Sequence, residues 1–383
     1  MAADSNSPRT ADVIVIGGGL IGSAVALRLA QARLRVCVLD RGQPGAEAST
    51  AAAGMLAPQG EMVNPDAFFE FCAASRDLYP DFVNEIEELS GTNVGYRRDG
   101  TLLVAITDAE CKELEAVHRV QSGLGLPIEK LARRGGDAIH GRVKGLSKEI
   151  RAALFIPGDH WIDNERLTLA AINACRKLGV VFCPGRPVTR FNVKEGRVES
   201  VEAAYIAGGA STLAAEHFVL AAGCWSCELV APLGIKLRME PCHGQMMEFE
   251  ADEDLPLVVR AGHHYLVPRA GKRVLAGTTA EYIGFNKAVT GGGLRSILEG
   301  TGRFTPFVKG LRFRRAWSGL RPDTEDHLPI LGRGEIPNLY FATGHFRNGI
   351  LLAPITAQVI SELILGKPAP FPLEGYSPAR FLS

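Results

Sequence analysis

Apolar positions along this chain follow two rhythms. In the first, a short unbroken apolar run leads into glycines and then into a stretch of helical composition. It opens the chain. Asp12 to Ile16 read as a strand of the kind buried in a parallel sheet. Gly17, Gly19 and Gly22 follow, and Ser23 to Arg33 predict a helix packed on that sheet. Arg35 to Leu39 predict the next strand, ending at Asp40. The rhythm returns mid-chain: Leu154 to Pro157 open the block, then a helix over Asn164–Leu178, a strand over Val180–Cys183 and a buried strand over His217–Ala222. It returns again in Arg312–Leu320, Leu339–Thr343 and a helix from about Ile350.

The second rhythm is strand-rich and lies between those blocks. Thr101–Ile106, Met239–Ala251 and His263–Thr279 read as strands, the last with a hairpin at Ala270-Gly271-Lys272. Pro187–Asn192 and Arg197–Ala204 read as a strand pair. Helical spacing marks 66–90, with Phe69, Cys72, Leu78, Phe82 and Ile86 as core contacts rather than cofactor contacts. Asp108–Ser122 is an amphipathic helix with Asp108 near its cap, and Gly291–Gly302 a short helix. Gly135–Lys148 reads as a surface connection. The class that follows is α/β. A Rossmann-like domain is assembled from discontinuous segments, 11–90, 152–235 and 318–370. A second α+β domain, 91–151 and 236–317, contains an antiparallel sheet.

Bulk properties narrow the partners. A chain of 383 residues suits about two domains, and 46% hydrophobic residues supply a large core. A formal net charge of zero argues against nucleic acid or an anionic membrane surface as the main partner. Met1 to Thr10 are small and polar and read as a loose tail, with no signal peptide ahead of the eight cysteines, so free thiols in a cytoplasmic setting are expected. Cys224 and Cys227 form C-W-S-C, but no second cysteine pair or nearby histidine completes a zinc set, and no metal is expected. Gly349 to Gly366 is apolar, yet Pro354, Gln358 and Glu362 interrupt it, and it is too short and polar to span a bilayer.

The chemistry starts at the glycines. Gly17, Gly19 and Gly22 fit a G-x-G-x-x-G turn: a tight turn, a close backbone approach to a pyrophosphate, and close helix–strand packing. The helix start offers unpaired N–H groups and the positive end of its dipole to the phosphates. Asp40 ends the second strand at the spacing that reaches a ribose hydroxyl. Ser49 to Gly54 have almost no side-chain bulk, which suits the approach of a flat ligand to the main chain.

Two passages carry more. They are Trp317-Ser318-Gly319-Leu320-Arg321-Pro322 and Gly344-His345-Phe346-Arg347-Asn348-Gly349-Ile350-Leu351-Leu352-Ala353-Pro354. With STAAAGML around Met55, AFFEF, VLAAGCWS and HHYLVPR, they resemble the glycine oxidases, members of the FAD-dependent D-amino acid oxidase family that also includes sarcosine oxidases. The resemblance runs from Val13 to about Gly366.

It implies a D-amino acid oxidase-like fold and FAD. Gly17, Gly19, Leu20, Ile21, Gly22, Asp40 and Arg41 fall on the ADP portion. Ser49, Thr50, Ala53, Gly54 and Met55 fall on the ribityl and ring region, and Val188 near the adenine. Ala222, Gly223 and Trp225 close over the cofactor, and His345, Arg347, Asn348, Gly349, Ile350 and Leu351 lie beside the flavin. Arg321 grips a substrate carboxylate through its guanidinium fork, Tyr265 donates to the same carboxylate, and Met55 and Ala280 bound the substrate. His263 and Arg347 complete the catalytic set, with direct substrate contact by Arg347 left open. Ala280 stands where compared glycine oxidases carry Met, and His264 where they carry a smaller residue, so strict glycine preference is in question. No cysteine follows Cys242, which implies non-covalent FAD.

The expected reaction is oxidation of the Cα–N bond of glycine, sarcosine or a small D-amino acid, with oxygen as acceptor and hydrogen peroxide as product. The resemblance also implies a homo-oligomer and a place in thiamine thiazole synthesis. Three readings stay open at this point: a D-amino acid dehydrogenase with a non-oxygen acceptor, a flavin-binding protein without turnover, and an NAD-dependent dehydrogenase, which a colourless purified protein would favour.

Overall fold

The computed structural model describes residues 10–62, 65–131, 137–205 and 208–381. Among these, the strands form two eight-stranded sheets and a two-stranded ribbon. The first sheet runs, from one edge, through Ile330–Arg333, Leu339–Thr343, Ala210–Leu220, Thr10–Ile16, Val36–Leu39 and Val181–Cys183. All these neighbours are parallel except the antiparallel edge strand Ile330–Arg333. Such a sheet needs both faces covered, which explains the unbroken apolar runs. Leu20–Gln31 and Ala353–Ile364 pack on one face with Asn164–Lys177. The antiparallel pair Val188–Lys194 and Arg197–Ala204 extends the sheet through Ala210–Leu220, as expected of that pair.

The second sheet has the order Arg312–Thr324, Met239–Glu250, Arg273–Gly277, His264–Arg269, Val258–Ala261, Thr101–Ala105, Ala152–Ile156, Glu129–Leu131. It is antiparallel throughout except between Val258–Ala261 and Thr101–Ala105. Its core includes Leu102, Met247, Leu266, Ile297 and Phe304, the last two from the helix Gly291–Phe304. The expected fold class stands.

Several expectations shift. Ala152–Ile156 pairs with Thr101–Ala105, and Arg312–Thr324 pairs with Met239–Glu250 along its whole length, so both belong to the second sheet rather than to nucleotide-type blocks. The expected boundaries at 152 and 318 therefore fall on strands of that sheet. A wholly apolar pentad looks the same in either sheet, and only pairing separates them. Asp66–Ser90 is two helices, Ala67–Asp77 and Tyr79–Ser90, meeting at Leu78 ahead of Pro80. The helix Asp108–Gly123 has Asp108 beside its cap as expected, and the capping residue itself is Thr107, in a capping box with Glu110. Within the expected surface connection, Asp137–Arg142 is a helix, and Ile139, Val143 and Leu146 are buried; residues 135 and 136 lie outside the described residues. The final helix starts at Ala353, after a short turn of helix over Phe346–Asn348.

Candidate active site

A cavity of about 1340 Å³ joins the two sheets. Gly17, Gly19, Ile21 and Asp40 line one end, and Tyr265, Ala280 and Arg321 the other. At the first end the glycines act as their spacing predicts. Gly17 has φ +108°, and a Cβ there would stand 2.3 Å from the Ala221 carbonyl oxygen. A Cβ on Gly22 would stand 1.9 Å from the Gly17 oxygen, so this glycine lets helix and strand touch. The Asp40 carboxylate accepts from the amides of Gly18 (2.7 Å) and Gly42 (2.8 Å), which holds the turn and fixes the acid at the cavity wall. Arg41 lies 3.7 Å over the Trp225 ring, and both line this end with Val188, Ala222 and Gly223.

Four expected contacts stand behind the wall instead of on it. Gly22 packs the helix, and Leu20 and Leu351 are buried in the core. Thr50 donates its hydroxyl to the Gly45 oxygen. Leu20 still serves through its amide, which donates to Ser49 Oγ at 2.8 Å and pins the loop to the helix start.

That loop forms the middle of the cavity. Its carbonyls are tied backwards. Asn164 Nδ2 donates to the oxygens of Ser49 (2.8 Å) and Thr50 (3.2 Å), Arg269 Nη2 to that of Ala53 (2.8 Å), and the Ile162 amide to that of Gly54 (2.8 Å). Among the described residues, no hydrogen bond engages the amides of Ala52, Ala53 and Gly54, and all three residues line the cavity with Met55. A glycine is required at 54: φ is +71°, and a Cβ would lie 2.0 Å from the Ile162 oxygen. A row of free amides beside flat, small side chains fits an electron-rich ring. His345, Asn348, Gly349 and Ile350 form part of the wall as well.

The far end is built on paired strands. Arg321 lies opposite Cys242 in the register. Its Nη2 donates to Thr278 Oγ1 (2.8 Å) and its Nη1 to the Thr279 oxygen (3.3 Å). The guanidinium lies over Gly244, where a Cβ would come within 2.2 Å of Nη1. Tyr265 is buried, and its hydroxyl donates to Met246 Sδ at 3.4 Å. A thioether is a weak acceptor, so the hydroxyl can be claimed by a better one. Burial pushes the phenol pKa up and the nearby Arg321 charge pulls it back, with the net shift upward, so it is a protonated donor at neutral pH. Ala280 is an exposed residue of the wall.

The histidines divide. His263 sits exposed at the turn between Val258–Ala261 and His264–Arg269, on the rim of the cavity. His345 is buried and shares a hydrogen bond with Thr356 Oγ1 at 3.0 Å. Burial alone lowers its pKa to about 3, so it is neutral. Arg347 is exposed, with its guanidinium 5.3 Å from the Phe346 ring. Cys72 and Cys224 also line the cavity, and burial raises both thiol pKa values well above the usual range. Among the described residues, no group of three or more His, Cys, Asp or Glu is arranged to hold a metal.

Residues the sequence reading missed include Thr278, Thr279, Gly244, Arg269 and Asn164. Phe69, expected in the core, is half-buried on the cavity wall. Only Gly244 carried a local signal, since a glycine inside a strand marks close approach by another group.

The description "FAD dependent oxidoreductase" matches residues 12–363. The chain belongs to that family. The chain is 32% identical over 374 residues to the glycine oxidase of Geobacillus kaustophilus, covering 97% of each. It superposes on the crystal structure of glycine oxidase from that organism with a TM-score of 0.91 at 31% identity, covering 98% of this chain and 100% of the other. It is also 35% identical over 377 residues to the bifunctional protein ThiO/ThiG of Trichormus variabilis, covering 97% of this chain and 55% of that protein. The chain thus spans about half the length of its bifunctional relatives. Among the described residues, no helix is long and apolar enough to cross a membrane.

Proposed function

We propose that this chain oxidises glycine and other small amino acids, among them sarcosine and small D-amino acids, using FAD and molecular oxygen. The products are an oxo acid, ammonia or a primary amine, and hydrogen peroxide. One observation carries the reading. A single cavity joins a dinucleotide turn to an arginine fork whose hydrogen bonds within the chain go to neutral groups, Thr278 and Thr279.

Bound FAD supplies the two-electron oxidation of the substrate Cα–N bond to an imine, which water then hydrolyses. The chain's own work is placement. Arg321 binds the carboxylate, with Thr278 and Thr279 holding the guanidinium in plane. Tyr265 donates a second bond to it, and Met55 and Ala280 bound the space around Cα. The amides of Ala52 to Gly54 and the turn at Phe346–Asn348 face the ring. Carboxylate capture at one fixed point is the proximity term that brings Cα against the cofactor. FAD is held without a covalent link, in keeping with buried, protonated Cys72 and Cys224.

The likeness to glycine oxidases supports glycine as substrate, and the place in thiamine thiazole synthesis is part of the proposal. So is the domain division, with the breaks moved to follow the sheets, after Ile156 and after Thr324. A peroxide assay over glycine, sarcosine, D-alanine and D-proline tests the reaction, with anaerobic bleaching of the purified yellow protein beside it. A protein that stays yellow with every amine is not this enzyme. One that bleaches but yields no peroxide in air is a dehydrogenase.

A further inference from the structure

Behind the loop at the middle of the cavity sits a cation with no part in the proposed chemistry. Arg269 ends the strand His264–Arg269 and is 5% exposed. It donates to the Ala53 oxygen (2.8 Å), to Asn164 Oδ1 (2.8 Å) and to the Pro268 oxygen (3.0 Å). All three acceptors are neutral. The acids that influence it from further away, Asp163, Glu165 and Glu248, pair with Arg273 and Arg315. Asn164, 1% exposed, relays the grip by donating to the Ser49 and Thr50 oxygens. Neither side chain lines the cavity.

The geometry has an electrostatic consequence. In a trans peptide the C=O and the next N–H point in opposite directions. Drawing the Ala53 oxygen back toward Arg269 therefore turns the Gly54 amide the other way, toward the cavity. The guanidinium charge also polarises that peptide. A buried cation facing only neutral acceptors projects its field further than a paired one.

We infer that Arg269 and Asn164 are positioning residues that aim the 49–54 loop at the flavin and make its reduced, negatively charged form easier to reach. The inference rests on the reading of residues 49–55 as the wall beside the ring.

The test is the midpoint potential of FAD in the holoenzyme, measured against a reference dye, with the dissociation constant for FAD measured on the apoprotein. Arg269→Met keeps most of the shape and removes the charge. It should lower affinity for reduced relative to oxidised flavin about ten-fold, which is about 30 mV for a two-electron couple. Arg269→Lys should hold the potential while loosening FAD, because the charge remains and the fork is lost. A brace with no electrostatic role would change FAD affinity and leave the potential alone, and an unchanged potential in Arg269→Met overturns the inference. Should that variant fail to fold, Arg269→Gln removes the charge while keeping a side-chain N–H donor. The same fall in potential then upholds the inference, and its absence ends it. An unsubstituted apoprotein that takes up no FAD would overturn the reading of the site itself, and the inference with it.

Discussion

Replacing Gly244 with alanine separates the position of the proposed substrate clamp, Arg321, from its chemistry. The new Cβ would stand 2.2 Å from Arg321 Nη1, 2.4 Å from Nη2 and 2.6 Å from Cζ, with no backbone atom among its nearest neighbours. The end of a flexible side chain can retreat, so the sheet stays intact and the guanidinium moves. Ordinary contact begins at 3.4 Å, so Nη1 must withdraw by about 1.2 Å (3.4 minus 2.2). Nη2 must withdraw by about 1.0 Å (3.4 minus 2.4), which breaks its 2.8 Å bond to Thr278 Oγ1 and tilts the fork away from a carboxylate placed for the native arginine. A misplacement of about 1 Å costs roughly 100-fold in rate, or about 2.8 kcal/mol. The assay is steady-state oxidation of glycine beside FAD content, from the ratio of flavin to protein absorbance. The expected result is kcat/KM lower by about two orders of magnitude with a normal yellow holoenzyme. Native kcat/KM in a folded, FAD-loaded Gly244→Ala protein would refute the argument, because the clamp would then work from a different place.

Other outcomes follow from the same geometry. Arg321→Ala should cost about 2–5 kcal/mol in substrate capture, roughly 30-fold or more in kcat/KM, with FAD still bound. Steady-state kinetics on glycine check it. Ala280→Met adds bulk to the cavity wall and should cut activity on sarcosine and D-alanine by more than that on glycine, read as the ratio of their kcat/KM values. Glu110 titrates near 2: its partial burial opposes this, but the amides of Thr107 and Ile106 and the Arg303 guanidinium outweigh it. A depressed folded pKa adds stability that is present above the ordinary glutamate value of 4.5 and lost as the pH falls toward 2. Glu110→Gln should therefore be less stable by about 1 kcal/mol at neutral pH. The gap should close in denaturant titrations repeated at pH values stepping down through that window.

Much of this protein was written locally. The turn at Gly17, Gly19 and Gly22 was legible because each glycine answers to neighbours near it in sequence or in the adjoining strand. The unbroken apolar strands of the first sheet were legible because both faces are buried, and WSGLRP and GHFRNGILLAP named the two sides of the cavity in contiguous text. Sheet membership was not local. Ala152–Ile156 and Arg312–Thr324 read like strands of the first sheet and pair in the second. The first is an apolar run, which states that it is buried without stating against what, and the second alternates charged and apolar residues, which marks a strand without naming its partner.

The supporting residues were hidden for the same reason. Arg269 and Asn164 act on a loop more than a hundred residues away in the chain, with sequence separations of 216 from Ala53 and 115 from Ser49. Thr278 and Thr279 are 43 and 42 residues from the arginine they hold. The sequence alone determined the glycine turn and the kind of fold, and it singled out the arginine proposed to clamp the substrate. Which way that arginine points, and which loop amides stand free beside it, came only from the tertiary structure. Hydrogen bonds between distant segments set those directions, and such bonds leave no periodic trace in a chain read in order.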